Sequence, residues 1–190
     1  MEDTVNDLSE KYKKYVEWQK VEYSADKKLR FLAFQELFHL IIMPSLLVLI
    51  SKGFDFVLKI ASLLQLSLYS YIGGAILIVL GLSLSLWTRW TQFKIGQGTP
   101  APIMPTQKLV IKGPYVFCRN PMILGDVIWL IGLSILVNSI SSIIVSLIWF
   151  IGHLIYYKTI EEKELTARFG EEYIDYKKRV PFIIPFLKIK

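Results

Sequence analysis

The chain has one cysteine, Cys118, in 190 residues, which excludes an intrachain disulfide. It has two histidines, His39 and His153, and no CxxC pair or His/Cys cluster. A structural zinc site is therefore not expected, and no metal ligand set is assigned. There is no internal repeat and no low-complexity tract. The first 30 residues are charged and lack both the apolar stretch and the small-residue cleavage site of a secretory signal, so a cleavable leader is not expected. Acids are outnumbered, 16 against 22 Lys and Arg, for a formal net charge of +6. No nucleic-acid-binding motif accompanies that excess, so anionic lipid headgroups are the expected partner of the basic surface.

Apolar residues are what the chain has in quantity. They make up 53% of it, with a mean hydropathy of +0.44, too apolar for an ordinary soluble domain of this length. A bilayer crossing needs ~17–25 such residues. Four stretches qualify, at about 31–50, 69–90, 121–137 and 140–157. The first is interrupted by Glu36, His39 and Pro44. A shorter stretch, FDFVLKIASLLQL at 54–66, carries Asp55 and Lys59 and reads as an interfacial or partly inserted helix. The expected fold is an all-α integral membrane protein with four to five transmembrane helices. With four spans, the N-terminus, the 89–120 connection and the C-terminal segment share one side, and that side holds 20 of the 22 basic residues. The positive-inside rule makes it cytoplasmic, in a prokaryotic plasma membrane or the endoplasmic reticulum.

Three regions follow. Residues 1–28 are charged, with Tyr12, Tyr15, Trp18 and Tyr23 interleaved, and read either as a cytoplasmic surface helix or as a solvated tether. Residues 29–93 hold the first membrane helices. Residues 94–190 hold a Pro/Gly-rich loop, a helical hairpin turning at Asn138-Ser139, and a C-terminal cap. In the loop, Gly96, Gly98, Pro100, Pro102 and Pro105 forbid a regular helix, and KLVIK at 108–112 alternates like a strand. A loop of this length is usually functional, and its apolar Ile103, Met104, Leu109 and Val110 do not suit a free connector. The last span is expected to run on through IYYKTIEEKELTARF to Gly170, a residue suited to a left-handed cap, and EEYIDYKKRV to restart a helix that Pro181 ends.

On a wheel of about 100° per residue, His153, Tyr157, Glu161 and Glu164 fall within roughly 80°, with Glu162 on the far side. Arg119 and Asn120, at the cytoplasmic end of the third span, are expected to approach Glu161. Such a pair can equally be a structural ion pair at the membrane surface. Glu36, His39, Asp126 and His153 are costly in hydrocarbon and point either to a polar cavity or, near span ends, to headgroups; the headgroup reading is favoured for Glu36 and Asp126, while for the deeper His39 and His153 the two stand even. Cys118 reads as a packing residue, since no base is adjacent to it.

GPYVFCRNPMILG at 113–125, followed after a helical hairpin by EEKELTARFGEEYIDYKKRVPFIIP at 161–185, resembles the paired signature of the isoprenylcysteine carboxyl methyltransferase family. The wider group includes the phospholipid N-methyltransferases. The matching positions are Gly113, Tyr115, Arg119-Asn120-Pro121, Gly125, Glu161-Glu162, Leu165, Phe169-Gly170, Glu172 or Glu171, Tyr173, Tyr176 and Val180-Pro181. The resemblance covers about residues 94–186. It implies S-adenosylmethionine as methyl donor, held in a cytoplasmic pocket closed by the C-terminal cap, and a lipophilic acceptor entering from the bilayer. It assigns Leu109 and Val110 to the adenine, and Gly113, Pro114 and Tyr115 to a turn where the backbone approaches the donor. Arg119, Asn120 and Pro121 go to the donor's amino-acid end or the reaction centre, and Glu161, with Glu162 as the weaker candidate, to the donor or its neighbouring arginine. Arg119 and Glu161 are the expected catalytic residues, with His153 and Tyr157 facing substrate.

Two positions depart from the family pattern. Asn120 stands where a histidine is usual, and Ile123 where an aromatic is frequent. An amide keeps a hydrogen bond but does not titrate near neutrality, so Asn120 is assigned binding and the general base stays open. A carboxylate acceptor needs no base at neutral pH and an ammonium does, which tilts the expectation toward a carboxylate or thiol. A phospholipid amine, a nicotinamide-dependent reductase with a related C-terminal pocket and a non-enzymatic lipid-binding scaffold are the other readings.

Overall fold

The computed structural model describes residues 17, 21–60 and 67–184. Most of the expected N-terminal helix, with Tyr12, Tyr15 and Trp18, and residues 61–66 of the expected interfacial segment lie outside them. The regular elements among the described residues are helices, with no strand among them. In chain order they form α1 (Ala25–Leu37), a π-helical segment (Phe38–Ile42), α2 (Met43–Val57), α3 (Leu68–Lys94), a 3₁₀ turn (Gly113–Val116), α4 (Pro121–Leu136), α5 (Ile140–Tyr156), a second π segment (Tyr157–Glu161) and α6 (Glu162–Arg179).

Three helical stretches are long and apolar enough to cross a membrane: Ala25–Val57, Leu68–Lys94 and Ile140–Arg179. Pro121–Leu136 is apolar but shorter. Two expectations change here. Residues 54–57 close α2 and do not start an interfacial helix. The 108–112 stretch forms no strand.

Proline and glycine positions explain the local geometry. Pro44, at the start of α2, has no N–H to donate, and its ring crowds the preceding turn. The helix answers by widening into the π segment Phe38–Ile42. Gly170 adopts φ 54° and ψ −131°, so it breaks α6 into two arms where the sequence expects a stop.

One compact unit comprises the described residues of 33–86 and 122–152. Its core gathers Leu47, Trp129 and Leu130, with Leu82, Leu133, Val145 and Trp149 packed against them. The polarity is inverted relative to a soluble bundle. Ser51, Ser85, Ser134, Ser142 and Ser146 are fully buried, while Leu49, Val79 and Ile148 are 63–70% exposed. Small polar groups inside and apolar groups outside suit helices surrounded by lipid. Within it α3 and α4 touch backbone to backbone. A Cβ added at Gly81 would lie 2.6 Å from the Gly125 carbonyl oxygen, and one at Gly132 2.7 Å from the Gly74 oxygen. Both pairs are seven residues apart, two turns along each helix, so glycine keeps the whole crossing close.

Several buried polar groups of this unit bond one another. Ser85 donates to Asp126 Oδ1 at 2.5 Å, and Trp129 Nε1 donates to the same oxygen at 3.3 Å. Asp126 is thus held inside the helices, and the expectation that it reaches headgroups is corrected. The Asn138-Ser139 turn forms as expected, with Asn138 at φ 52°. Ser139 caps α5 by accepting from the Ser142 N–H at 3.1 Å, and its hydroxyl donates to Asp55.

Candidate functional site

The second unit comprises the described residues through Leu32, residues 87–121 and the described residues from His153 onward. The two motifs meet inside it. Val110, Tyr115, Tyr173 and Tyr176 form a buried apolar core, with Leu109, Leu165, Phe169 and Val180 against it. Tyr176 donates its hydroxyl to the Tyr115 carbonyl at 2.8 Å, which ties the 3₁₀ turn to the second arm of α6. Val110 is a buried member of this core. Leu109 flanks it, only half-buried.

Gly113 begins the turn at φ +62°, a left-handed conformation that suits glycine. A Cβ there would meet Thr91 Oγ1 at 3.2 Å. The glycine thus serves the turn and its packing on α3. Pro114 and Pro121 are fully buried on either side.

Arg119 follows the turn. Its backbone N–H donates to the Pro181 carbonyl at 2.9 Å, and the Asn120 side-chain amide donates to the Phe182 carbonyl at 2.9 Å. The Val-Pro end of the second motif is thus strapped to the Arg-Asn-Pro of the first. A protonated ring nitrogen can make the same donation, so an asparagine in the histidine's place keeps that bond.

The guanidinium of Arg119 pairs with Glu162, and both side chains are more than nine-tenths buried. Lys177 donates to the other Glu162 oxygen at 2.5 Å, with Lys158 at 3.8 Å. The expected partner was Glu161, so the wheel is corrected by one residue. The π segment Tyr157–Glu161 is the reason. Its wider turn rotates every later residue relative to an ideal helix, and it carries Glu162 onto Arg119.

Glu161 is left with a different role. Its Oε2 is buried and has no hydrogen-bond partner among the described residues, and the same holds for Arg119 Nε. The apolar part of this helix ends near Tyr157, so Glu161 lies beyond the span. Burial first, then Glu164, push its carboxyl up to about 8, against the opposing pull of Arg168. Burial, with Glu161 as the next cause, also holds the Tyr115 hydroxyl well above its usual range. The Cys118 thiol, raised to about 11 by burial, stays protonated and packs. His153 and Tyr157, one turn apart, place their ring centres 6.0 Å from each other. No group of three or more metal-ligating side chains occurs among the described residues.

The 95–112 loop is built rather than loose. Thr99 N–H and Oγ1 both donate to the Met104 carbonyl, at 2.7 and 3.0 Å, and the Gln107 N–H donates to Gly96 at 2.6 Å. Arg168 reaches from α6 to the Thr106 carbonyl. Sequence reading found neither Arg168 nor the Tyr176–Tyr115 bond.

The chain is similar to several protein-S-isoprenylcysteine O-methyltransferases. That of Mus musculus is 39% identical over 87 residues, 44% of this chain and 29% of that protein. That of Saccharomyces cerevisiae is 34% identical over 122 residues, 60% of this chain and 48% of that protein. One from Arabidopsis thaliana, the B form, is 37% identical over 83 residues, 42% and 41% respectively. The match thus spans under half the length of each relative. The profile of the phospholipid methyltransferase family matches residues 69–172, more than half of the chain, and the chain belongs to that family.

Proposed function

We propose that this chain is an integral membrane methyltransferase that uses S-adenosylmethionine and modifies a lipophilic acceptor, most like the carboxylate of an isoprenylated cysteine. One observation carries the reading. Arg119 Nε is a buried donor with no acceptor, and Glu161 Oε2 is a buried acceptor with no donor, in one compact unit. Buried polar groups are rarely left this way without a ligand or water. A ligand with both a carboxylate and an ammonium meets both needs, and the amino-acid end of S-adenosylmethionine has both.

When bound, the donor supplies a methyl group on a sulfonium that already carries its leaving group. The residues present have the tasks of binding, orienting and excluding water. Arg119, held by Glu162, takes the carboxylate, and Glu161 takes the ammonium. The Pro181–Phe182 strap on Arg119 and Asn120 closes the site. Leu109 lines the adenine side, and His153 and Tyr157 face the acceptor. Four helices, including Pro121–Leu136, span the bilayer, with both termini and the site cytoplasmic, because nearly all basic residues lie on that side.

Asn120 cannot take up a proton near neutrality, which favours an acceptor that needs no base. Incubation with methyl-labelled donor and an S-prenylated, N-acetylated cysteine is expected to give a base-labile methyl ester. Base-stable label in an aminophospholipid would assign the amine reading instead. No label in either lipid, from protein that binds the donor's product, would reject both acceptor classes.

A further inference from the structure

Arg168 lies seven residues after Glu161. Seven helical steps fall about 20° short of two full turns, so the two side chains leave this continuous helix on nearly the same face, about 10 Å apart along the axis. Leu165, between them on that face, packs on the core that contains Val110 and Tyr115. Arg168 Nη2 donates to the Thr106 carbonyl, and its guanidinium carbon lies 4.9 Å from the centre of the Phe169 ring. From Thr106 the loop runs on past Leu109 and Val110 to Tyr115, which neighbours Glu161.

We infer that Arg168 is a positioning residue that fixes the 95–112 loop against α6 and also supplies positive charge to the Glu161 side of the donor site. The inference rests on the reading that Glu161 meets the donor's ammonium. The loop joins no sheet among the described residues, and the Thr106 carbonyl takes a bond from the Arg168 guanidinium. Glu164, Arg168 and Glu162 on its own helix act on Glu161, which in turn acts on Tyr173 of the second arm and Tyr115 of the 3₁₀ turn, with Tyr157 and Arg119 beside those two tyrosines. Arg168 is the cation among them that opposes the upward shift of Glu161. Because the donor's ammonium pairs with the ionised carboxylate, Arg168 keeps that form accessible as well as holding the loop.

The test is calorimetric titration of the full chain in detergent with S-adenosylhomocysteine, at about pH 6.5 and about pH 8.5. If Arg168→Gln raises the Glu161 carboxyl by one unit, affinity falls ~10-fold at the lower pH and about threefold at the higher. Arg168→Lys, which keeps the charge, retains the pH profile of the unmodified protein. Arg168→Met keeps the stem over Phe169 and serves if the glutamine protein does not fold. An equal loss at both pH values would reduce Arg168 to a structural brace and overturn the inference, as would no loss, or a lysine variant matching the glutamine one. An unmodified protein that does not bind at all would instead overturn the donor reading on which it rests.

Discussion

Glu161→Gln is expected to weaken binding of S-adenosylhomocysteine by roughly 30- to 100-fold while making the ligand-free protein more stable at neutral and alkaline pH. The side chain is half-buried overall, but Oε2 is buried and without a hydrogen-bond partner among the described residues, and the carboxyl is raised from 4.5 to about 8. The sign follows from where the protons sit. Between those values the unfolded chain has released its proton while the folded chain keeps it. The favourable contribution is therefore whole below about pH 4.5 and lost as pH rises through about 8. Glutamine has no such loss. After discounting for partial exposure, the gain at pH 8 is about 1–2 kcal/mol. Thermal melts at about pH 5 and pH 8 check it, with the gap between variant and parent closing at the lower pH. A residue that destabilises the empty protein and is needed by the ligand-bound one is what a binding site holds. A structural carboxylate gives the opposite pair of results.

Arg119 is expected to fail in a different manner. Arg119→Ala removes the partner of a buried Glu162, a change that costs ~3–5 kcal/mol where no other cation is near. Lys177 and Lys158 remain beside that carboxylate, so the lower end applies. Loss of turnover in the alanine protein would therefore mix folding with function. Arg119→Lys separates them. Lysine keeps the charge facing Glu162 but lacks the Nε–H that has no acceptor among the described residues. It is expected to fold with under about 1 kcal/mol of loss and to bind the donor's product ~100-fold more weakly. Full binding by the lysine variant would assign Arg119 a structural ion pair alone.

Much of the fold was legible because membrane helices announce themselves by length and composition. The hairpin turning at Asn138-Ser139 and the break at Gly170 were legible too, since a turn between apolar runs and a left-handed glycine leave local marks. The π segment at Tyr157–Glu161 left none. It contains no proline, and an extra residue in a turn is decided by tertiary packing. The wheel therefore gave Arg119 to Glu161, when the structure gives it Glu162 and leaves Glu161 with an open acceptor. KLVIK alternated like a strand, but its backbone had no strand to join among the described residues. Asp126 looked like a headgroup-facing acid because Ser85, 41 residues away, could not be seen as its partner. The glycine contacts of α3 and α4 went unread, although Gly74, Gly81, Gly125 and Gly132 carry the seven-residue spacing openly.

Calorimetric titration of the purified, detergent-solubilised protein with S-adenosylhomocysteine tests the central claim most directly. The account predicts saturable binding in the micromolar range, strengthening as pH rises toward about 8 as Glu161 ionises. Protein shown to be folded that gives no binding heat at millimolar ligand would contradict it.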